Sequence, residues 1–476
     1  MPSSSFTRRS SAFQNNRLSR SIKTLTPTST EALAYNGGLK TISEPLNELF
    51  RWPIITDEDE QAALQVLRAG NMSGIDVTIQ FEHEFAAWMG CRHALGFNNG
   101  TASLLAAMWA VGVQTGDEII CPATTYWASA LPAFGLGATV RFADIEADTL
   151  CIDPAEIDRL VTPRTKAVVV VHYLGHPADM DPIMEAARRH GLAVIEDVSH
   201  AHGGHYKGRK LGSIGDIGCF SLMAGKPLAV GEGGMLVTSV RDYYERAVAF
   251  GHYERFNAQI ESADLRPFAG LPFGGVKHRM HQLSAAVGRV QLEHYDQRSA
   301  EIRKAMNYFW DLLDGVPGLR PHRVDECLGS DMGGWYCAHG FYLKEEMGGL
   351  SLSRFCEAVR AEGMSINECM AGCNRPLHLH PLLNDADIYG AGVPTRIAHT
   401  AQDLRQPAGS LPVAEAAPSL TLFVPWFKHF RPKEIQKYAD AFRKVVEHAD
   451  ELLQEDPGEP EAAGGWNLFR AKGGAS

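Results

Sequence analysis

The sequence predicts an α/β protein: a mostly parallel sheet with helices on both faces, followed by a smaller mixed region. Three observations carry this. Between about residue 98 and residue 240, short Val- and Ile-rich runs recur that are continuous rather than alternating, as in strands buried on both faces. Stretches with helical spacing separate several of them. Finally, 476 residues with 45% apolar and 21% charged side chains supply enough core for a large domain and a smaller one.

In chain order, strands are expected at EIICP (118–122), TVRFAD (139–144), KAVVVVH (166–172), LAVIED (192–197), IGCFSL (217–222) and GMLVTS (234–239). Helical spacing runs through 101–112, 126–136 and 180–190, and returns after 280 in MHQLSAAVGRVQLEHYDQRSAEIRKAMNYFWDLL. The mixed region, 336–452, closes with RPKEIQKYADAFRKVVEHADELL, a helix apolar on one face. The expected division is a disordered lead over 1–45, a large domain over 46–300, a smaller α+β domain over 301–454 and a loose tail over 455–476. The first 25 residues are rich in Ser, Arg and Thr and hold no acid, which fits a transit peptide or a disordered lead; the lead is the expectation.

A formal net charge of −11 argues against nucleic acid or an anionic membrane as the main partner. Nine dispersed cysteines without CxxC pairs read as reduced thiols of a cytoplasmic protein. No apolar run is long enough to cross a bilayer.

Ligands of parallel sheets bind beyond the carboxyl ends of the strands, so the candidate chemistry is sought there. In NNGTASLLAAM, Gly100 and Thr101 open a helix, whose free N–H groups suit a phosphate or simply take a threonine cap. In VIEDVSHAHGG, Asp197 ends a strand, where it either caps a turn or meets a cation. His200 and His202 follow it, but no further ligand stands at a metal-site spacing, and no metal is expected. In CFSLMAGKPLAVGEGG, Ser221 is a phosphate ligand or a strand-end serine. Lys226 is the one ammonium in an apolar run, a setting in which lysine is neutralised, paired or used covalently. Together the parts suit pyridoxal phosphate, which needs a lysine for its Schiff base, a carboxylate for its ring nitrogen, and a phosphate cup from a helix start and hydroxyls.

FEHEFAAWMGCRHALGFNNGTASLLAA, HYLGHPADMDPI, VIEDVSHAHGGHYKGRKLGSIGDIGCFSL, GKPLAVGEGGMLVT and RMHQLSAAVGRVQL recur in the order and spacing of a known group. The chain resembles the DegT/StrS-type sugar and aminocyclitol aminotransferases, pyridoxal-phosphate enzymes of fold type I, from about residue 50 to 450. The resemblance implies a large domain with a mostly parallel seven-stranded sheet between helices. It implies that Lys226 is the Schiff-base lysine and Asp197 the partner of the pyridine nitrogen. It places His200 near the cofactor's 3-oxygen, Tyr126 of CPATTYWAS against the ring, and Gly100, Thr101 and Ser221 at the phosphate. In FGGVKHRMHQ, Lys277 stands where relatives usually carry an asparagine that reaches the phosphate of the neighbouring subunit, so a homodimer is implied. The segment 370–415, with His378 and His380, is implied to be a loop over the active site.

The activity so implied is transfer of an amino group from glutamate or glutamine to a keto-sugar or keto-cyclitol. His200, where many relatives have glutamine, and the opening LAYNGGLKT lean towards the cyclitol branch. Two alternatives stand beside it: a dehydrating or aromatising enzyme of the same family, and a regulatory protein that binds the cofactor without turnover.

Overall fold

The structure is a computed structural model and describes residues 32–255, 259–268, 270–271, 273–364 and 375–459. Seven strands form the main sheet: β1 (His93–Phe97), β2 (Glu118–Pro122), β3 (Thr139–Ala143), β4 (Thr165–Val171), β5 (Ala193–Asp197), β8 (Ile217–Ser221) and β9 (Gly234–Thr238). A two-residue hairpin, β6 (His205–Tyr206) with β7 (Arg209–Lys210), lies between β5 and β8. The order across the sheet is β1-β9-β8-β5-β4-β2-β3. Neighbours from β3 through β8 are parallel, and β9 runs antiparallel to both β8 and β1.

This register places the site. Ser221 and Phe97 both pair with Gly234, so β1 and β8 end on the same edge as the other parallel strands. Asn99, Thr125, Leu174, Asp197 and Ser221 therefore gather at one rim, just after or at the ends of β1, β2, β4, β5 and β8. All six expected strands are present within a residue of their expected bounds; β1 is the strand that the spacing does not predict.

The helix expected over 126–136 is a 3-10 turn, Trp127–Ser129, followed by the short helix Pro132–Gly135. Tyr126 is extended before the turn. Pro132 has no N–H to continue a hydrogen-bond ladder through the segment, so it starts a new turn instead.

A second, antiparallel sheet, β10 (Leu319–Pro321), β11 (His339–Tyr342) and β12 (Thr421–Phe423), packs with the helices Tyr295–Leu312, Leu352–Ala361 and Pro432–Glu447 around its own core. Two boundaries differ from the expected division. Residues 1–31 and 460–476 of the expected loose ends lie outside the described residues. Within 32–45, Leu33 and Ile42 are buried in the second core, and Glu362 accepts hydrogen bonds from the Ala34 and Thr41 amides. This stretch is therefore part of the smaller unit, because Leu33 and Ile42 complete that unit's core. In the same way, Leu377, Leu383, Leu411, Ala414 and Ala417 belong to the large core, so the chain returns to the large unit between Leu377 and Ala417.

Candidate active site

A cavity of about 390 Å³ opens at the carboxyl rim of the sheet. Its walls include Gly100, Thr101, Tyr126, Asp197, His200, Ser221 and Lys226, seven of the eight residues expected from sequence. A larger cavity, about 640 Å³, lies among the helices Asp57–Arg68, Asp76–Met89 and Gln282–Glu293 and is lined by none of them.

One end of the cavity is built from backbone. Asn99 caps the helix Gly100–Ala110, its side chain accepting from the Ala102 N–H at 2.8 Å. This leaves the helix start facing the cavity with its dipole positive towards an anion. A Cβ on Gly100 would lie 2.7 Å from the Ser221 Cβ, and one on Gly234 would lie 2.3 Å from the Asn99 carbonyl oxygen. Glycine at both positions lets β8, β9 and the helix start close into one cradle. Ser221 and Thr101 line it with hydroxyls.

Asp197 ends β5, between β4 and β8, and is 5% exposed. Its carboxylate accepts from the Ser129 hydroxyl at 2.7 Å and the Ser199 N–H at 3.1 Å; Ser129 is in turn 2.9 Å from the Thr125 hydroxyl. These neutral donors orient the carboxylate without neutralising it, which fits it to hold the proton of a cationic ring nitrogen.

His200 is buried, and burial together with the nearby Lys226 charge pushes its pKa well down, so the ring is neutral. Its Nδ1 accepts from the Leu174 N–H at 3.3 Å, which leaves the proton on Nε2. A neutral N–H donor beside the cavity fits an anionic ring oxygen. His202 has a bracing role instead, its Nε2 donating to the Ser221 carbonyl at 2.9 Å and so steadying the end of β8. No cluster of three metal-binding side chains occurs among the described residues.

Lys226 is 8% exposed, and its Nζ sits 3.9 Å above the centre of the Tyr336 ring. Its carbonyl accepts from the Trp52 indole at 2.8 Å. Tyr336 lies between Trp335 and Cys337, both in the left-handed region at φ 54° and 50°. Such angles are costly for side chains of this size, and here they turn the loop so that Tyr336 meets the lysine. Tyr336, Cys337, His339 and Phe423 form the wall contributed by the smaller unit. Sequence reading misses these four, and with them Ser129. The run GGWYCAHG, dense in glycine and aromatic residues, is the one signal available for the first three.

Lys277 is not at this cavity. It is half-exposed and paired with Glu254 at 2.7 Å. The expected lid is not there either: none of residues 375–415 lines the cavity, and residues 365–374 lie outside the described residues. His378 hydrogen-bonds Glu415 at 3.0 Å, and His380 caps the short helix Pro381–Asn384.

Comparison with known proteins gives the family. The DegT/DnrJ/EryC1/StrS aminotransferase family matches residues 53–443. The chain is 35% identical over 337 residues to the spore coat polysaccharide biosynthesis protein SpsC of Bacillus subtilis, covering 69% of this chain and 83% of that protein. It is 31% identical over 422 residues to the L-glutamine:2-deoxy-scyllo-inosose aminotransferase of Streptomyces kanamyceticus, covering 83% of this chain and 93% of the relative. Among solved structures, 3-amino-5-hydroxybenzoic acid synthase superposes with a TM-score of 0.69 at 27% identity, over 84% of this chain and 98% of that one.

Proposed function

Since the chain belongs to the DegT/DnrJ/EryC1/StrS aminotransferase family, we propose that it transfers the amino group of glutamine, or of glutamate, to a keto-cyclitol. It is a pyridoxal-phosphate aminotransferase, and the residues around the cavity fit that cofactor. The cradle at Gly100, Thr101 and Ser221 would hold the phosphate, Asp197 the ring nitrogen, and the His200 Nε2–H the ring oxygen. Tyr126 would pack on the ring.

Bound cofactor supplies the electron sink that weakens the donor's Cα–H bond. The protein supplies the rest. Lys226 Nζ takes the Cα proton of the donor and returns a proton in the acceptor half of the cycle. The Tyr336 face beneath Nζ tolerates the ammonium when it forms. Asp197 keeps a proton on the ring nitrogen.

The observation that carries the reading is the meeting of Lys226, Asp197 and a neutral His200 in one cavity beside a helix start. The cyclitol class rests on the relative named for 2-deoxy-scyllo-inosose. The dispersed thiols favour the cytoplasm. The absorption spectrum of wild type beside Lys226→Ala, with and without glutamine, tests the reading. A visible band altered in the variant and shifted to shorter wavelength by the donor supports it. A band that no donor moves leaves the dehydrating or regulatory alternatives, and no band at all refutes the cofactor.

A second copy of the chain completes the site in this reading. Asn99 and Thr101 also line an open groove with Trp127 and His278, beside which the half-exposed Lys277 stands. Lys277 then serves the phosphate of the neighbouring copy, as a point charge in place of an amide.

A further inference from the structure

One cavity-lining group is used by none of these assignments. His339 opens β11, is 1% exposed, and lines the cavity from the smaller unit. Its Nδ1 hydrogen-bonds the Cys337 carbonyl. A carbonyl can only accept, so Nδ1 carries the proton. Desolvation pushes the ring's pKa down to about 4, so near neutral pH the ring is uncharged and Nε2 keeps its lone pair. That Nε2 is buried and has no hydrogen-bond partner among the described residues. The ring is held by Phe423, another lining residue, with centroids 4.0 Å apart.

A buried acceptor without a partner is costly and calls for an explanation. Here the two buried imidazoles of the cavity carry opposite polarity. His200 offers Nε2–H; His339 offers a lone pair. The lone pair repels the α-carboxylate of an amino-acid donor, whereas a hydroxyl of a polyol satisfies it. We propose that His339 Nε2 accepts a hydrogen bond from a ring hydroxyl of the keto-cyclitol and selects the acceptor over its deoxy or O-alkylated analogues. This rests on the aminotransferase reading above and adds the contact that recognises its second substrate.

Two variants separate this role from a structural one. In His339→Asn the amide nitrogen can replace Nδ1 and keep the Cys337 contact, but nothing reaches the Nε2 position. In His339→Gln the amide reaches the Nε2 position and the Cys337 contact is lost. The two half-reactions are followed separately, by the glutamine-induced spectral change and by its reversal with 2-deoxy-scyllo-inosose.

The expected result is a KM for the keto-cyclitol raised about tenfold in His339→Asn and near wild type in His339→Gln, the size of one lost hydrogen bond. The glutamine half-reaction should be unchanged in both. The reverse pattern, with Gln impaired and Asn normal, makes His339 a brace for the Cys337 loop and overturns the proposal. Two normal variants overturn it, and so does an equal loss in the glutamine half-reaction. A wild type that responds to glutamine but never turns over the keto-cyclitol overturns it too. A wild type that fails to respond to glutamine or glutamate sinks the aminotransferase reading itself.

A check on the wild type needs no variant. Methylating the ring hydroxyls one at a time should raise KM about tenfold at one position. No such position would overturn the assignment even if both variants failed to fold.

Discussion

Asp197 and Lys226 show what a single residue's surroundings decide. Asp197 is held by Ser129 and Ser199 and forms no ion pair among the described residues, which leaves it able to meet a cationic group in the cavity. Asp197→Asn should leave the fold intact and lower kcat by about 100-fold or more, the order of one lost charge-assisted contact at the reacting centre. Steady-state assay with glutamine checks this, and Ser129→Ala should show a much smaller loss. Gly234→Ala would press a Cβ to 2.3 Å from the Asn99 backbone oxygen, which cannot swing aside. It should destabilise the protein by about 1–3 kcal/mol in urea unfolding and weaken cofactor binding, because the cradle must open. Lys226, Asp197, Gly100 and Ser221 are legible in the sequence because each stands in a short motif at a strand end. Ser129 is not, because it reaches Asp197 from a turn, nor are Tyr336, Cys337, His339 and Phe423, because they reach the cavity from the second sheet and the loop before it.

At the scale of elements, the segment from Leu377 to Ala417 covers the exposed edge of the sheet. β3 is the last strand in the order and would present unpaired backbone groups. The Gln406 side chain takes their place: it accepts from the Phe142 N–H at 3.3 Å and donates to the Phe142 carbonyl at 2.8 Å. Buried Arg396 donates to the Val140 carbonyl at 3.3 Å and lies against the Phe142 ring. Asp144 accepts from the Val413 and Ala414 amides, and the Leu377 N–H pairs with the Ala123 carbonyl at 2.8 Å. Gln406→Ala should therefore cost about 1–3 kcal/mol, through two unpaired backbone groups, and raise amide exchange along Thr139–Ala143. Unchanged exchange there would show that the strap is not the cover. The sequence could not reveal this cover: its donors and acceptors are side chains of a loop more than 250 positions from β3.

Protonation and assembly are properties of the whole molecule. His176, His202, His252 and His339 are buried, and desolvation drives their pKa values down to about 4, 3, 3 and 4. In the unfolded chain the same rings bind protons near 6.5. Between that pH and the folded values the unfolded chain holds more protons, so stability falls as pH falls and levels off only below the folded pKa. Each ring contributes up to about 1.4 kcal/mol per pH unit in that window. Urea midpoints measured from pH 8 to pH 5 should drop steeply below about 6.5, and a flat profile would contradict the burial of these rings. Assembly has its own test. Mixed and refolded Lys226→Ala and Lys277→Ala chains should regain about a quarter of wild-type activity, from hybrid dimers with one complete site. Full activity of Lys277→Ala on its own would confine Lys277 to its surface pair with Glu254, and two inactive variants that fail to complement would show that the two lysines do not meet across copies.

The sequence by itself determined the class of fold, the strands β2, β3, β4, β5, β8 and β9 of the main sheet, the cofactor, and seven candidate residues that line one cavity. These are local matters: continuous Val/Ile runs, a glycine before a helix, an acid at a strand end, a lysine among apolar residues. Only the tertiary structure decided which side chains line the cavity from the smaller unit, where the segment after Leu377 goes, and that Leu33 and Ile42 are core. Those outcomes depend on surfaces meeting across hundreds of residues, where packing and the pairing of buried polar groups select the contact and no spacing along the chain records it.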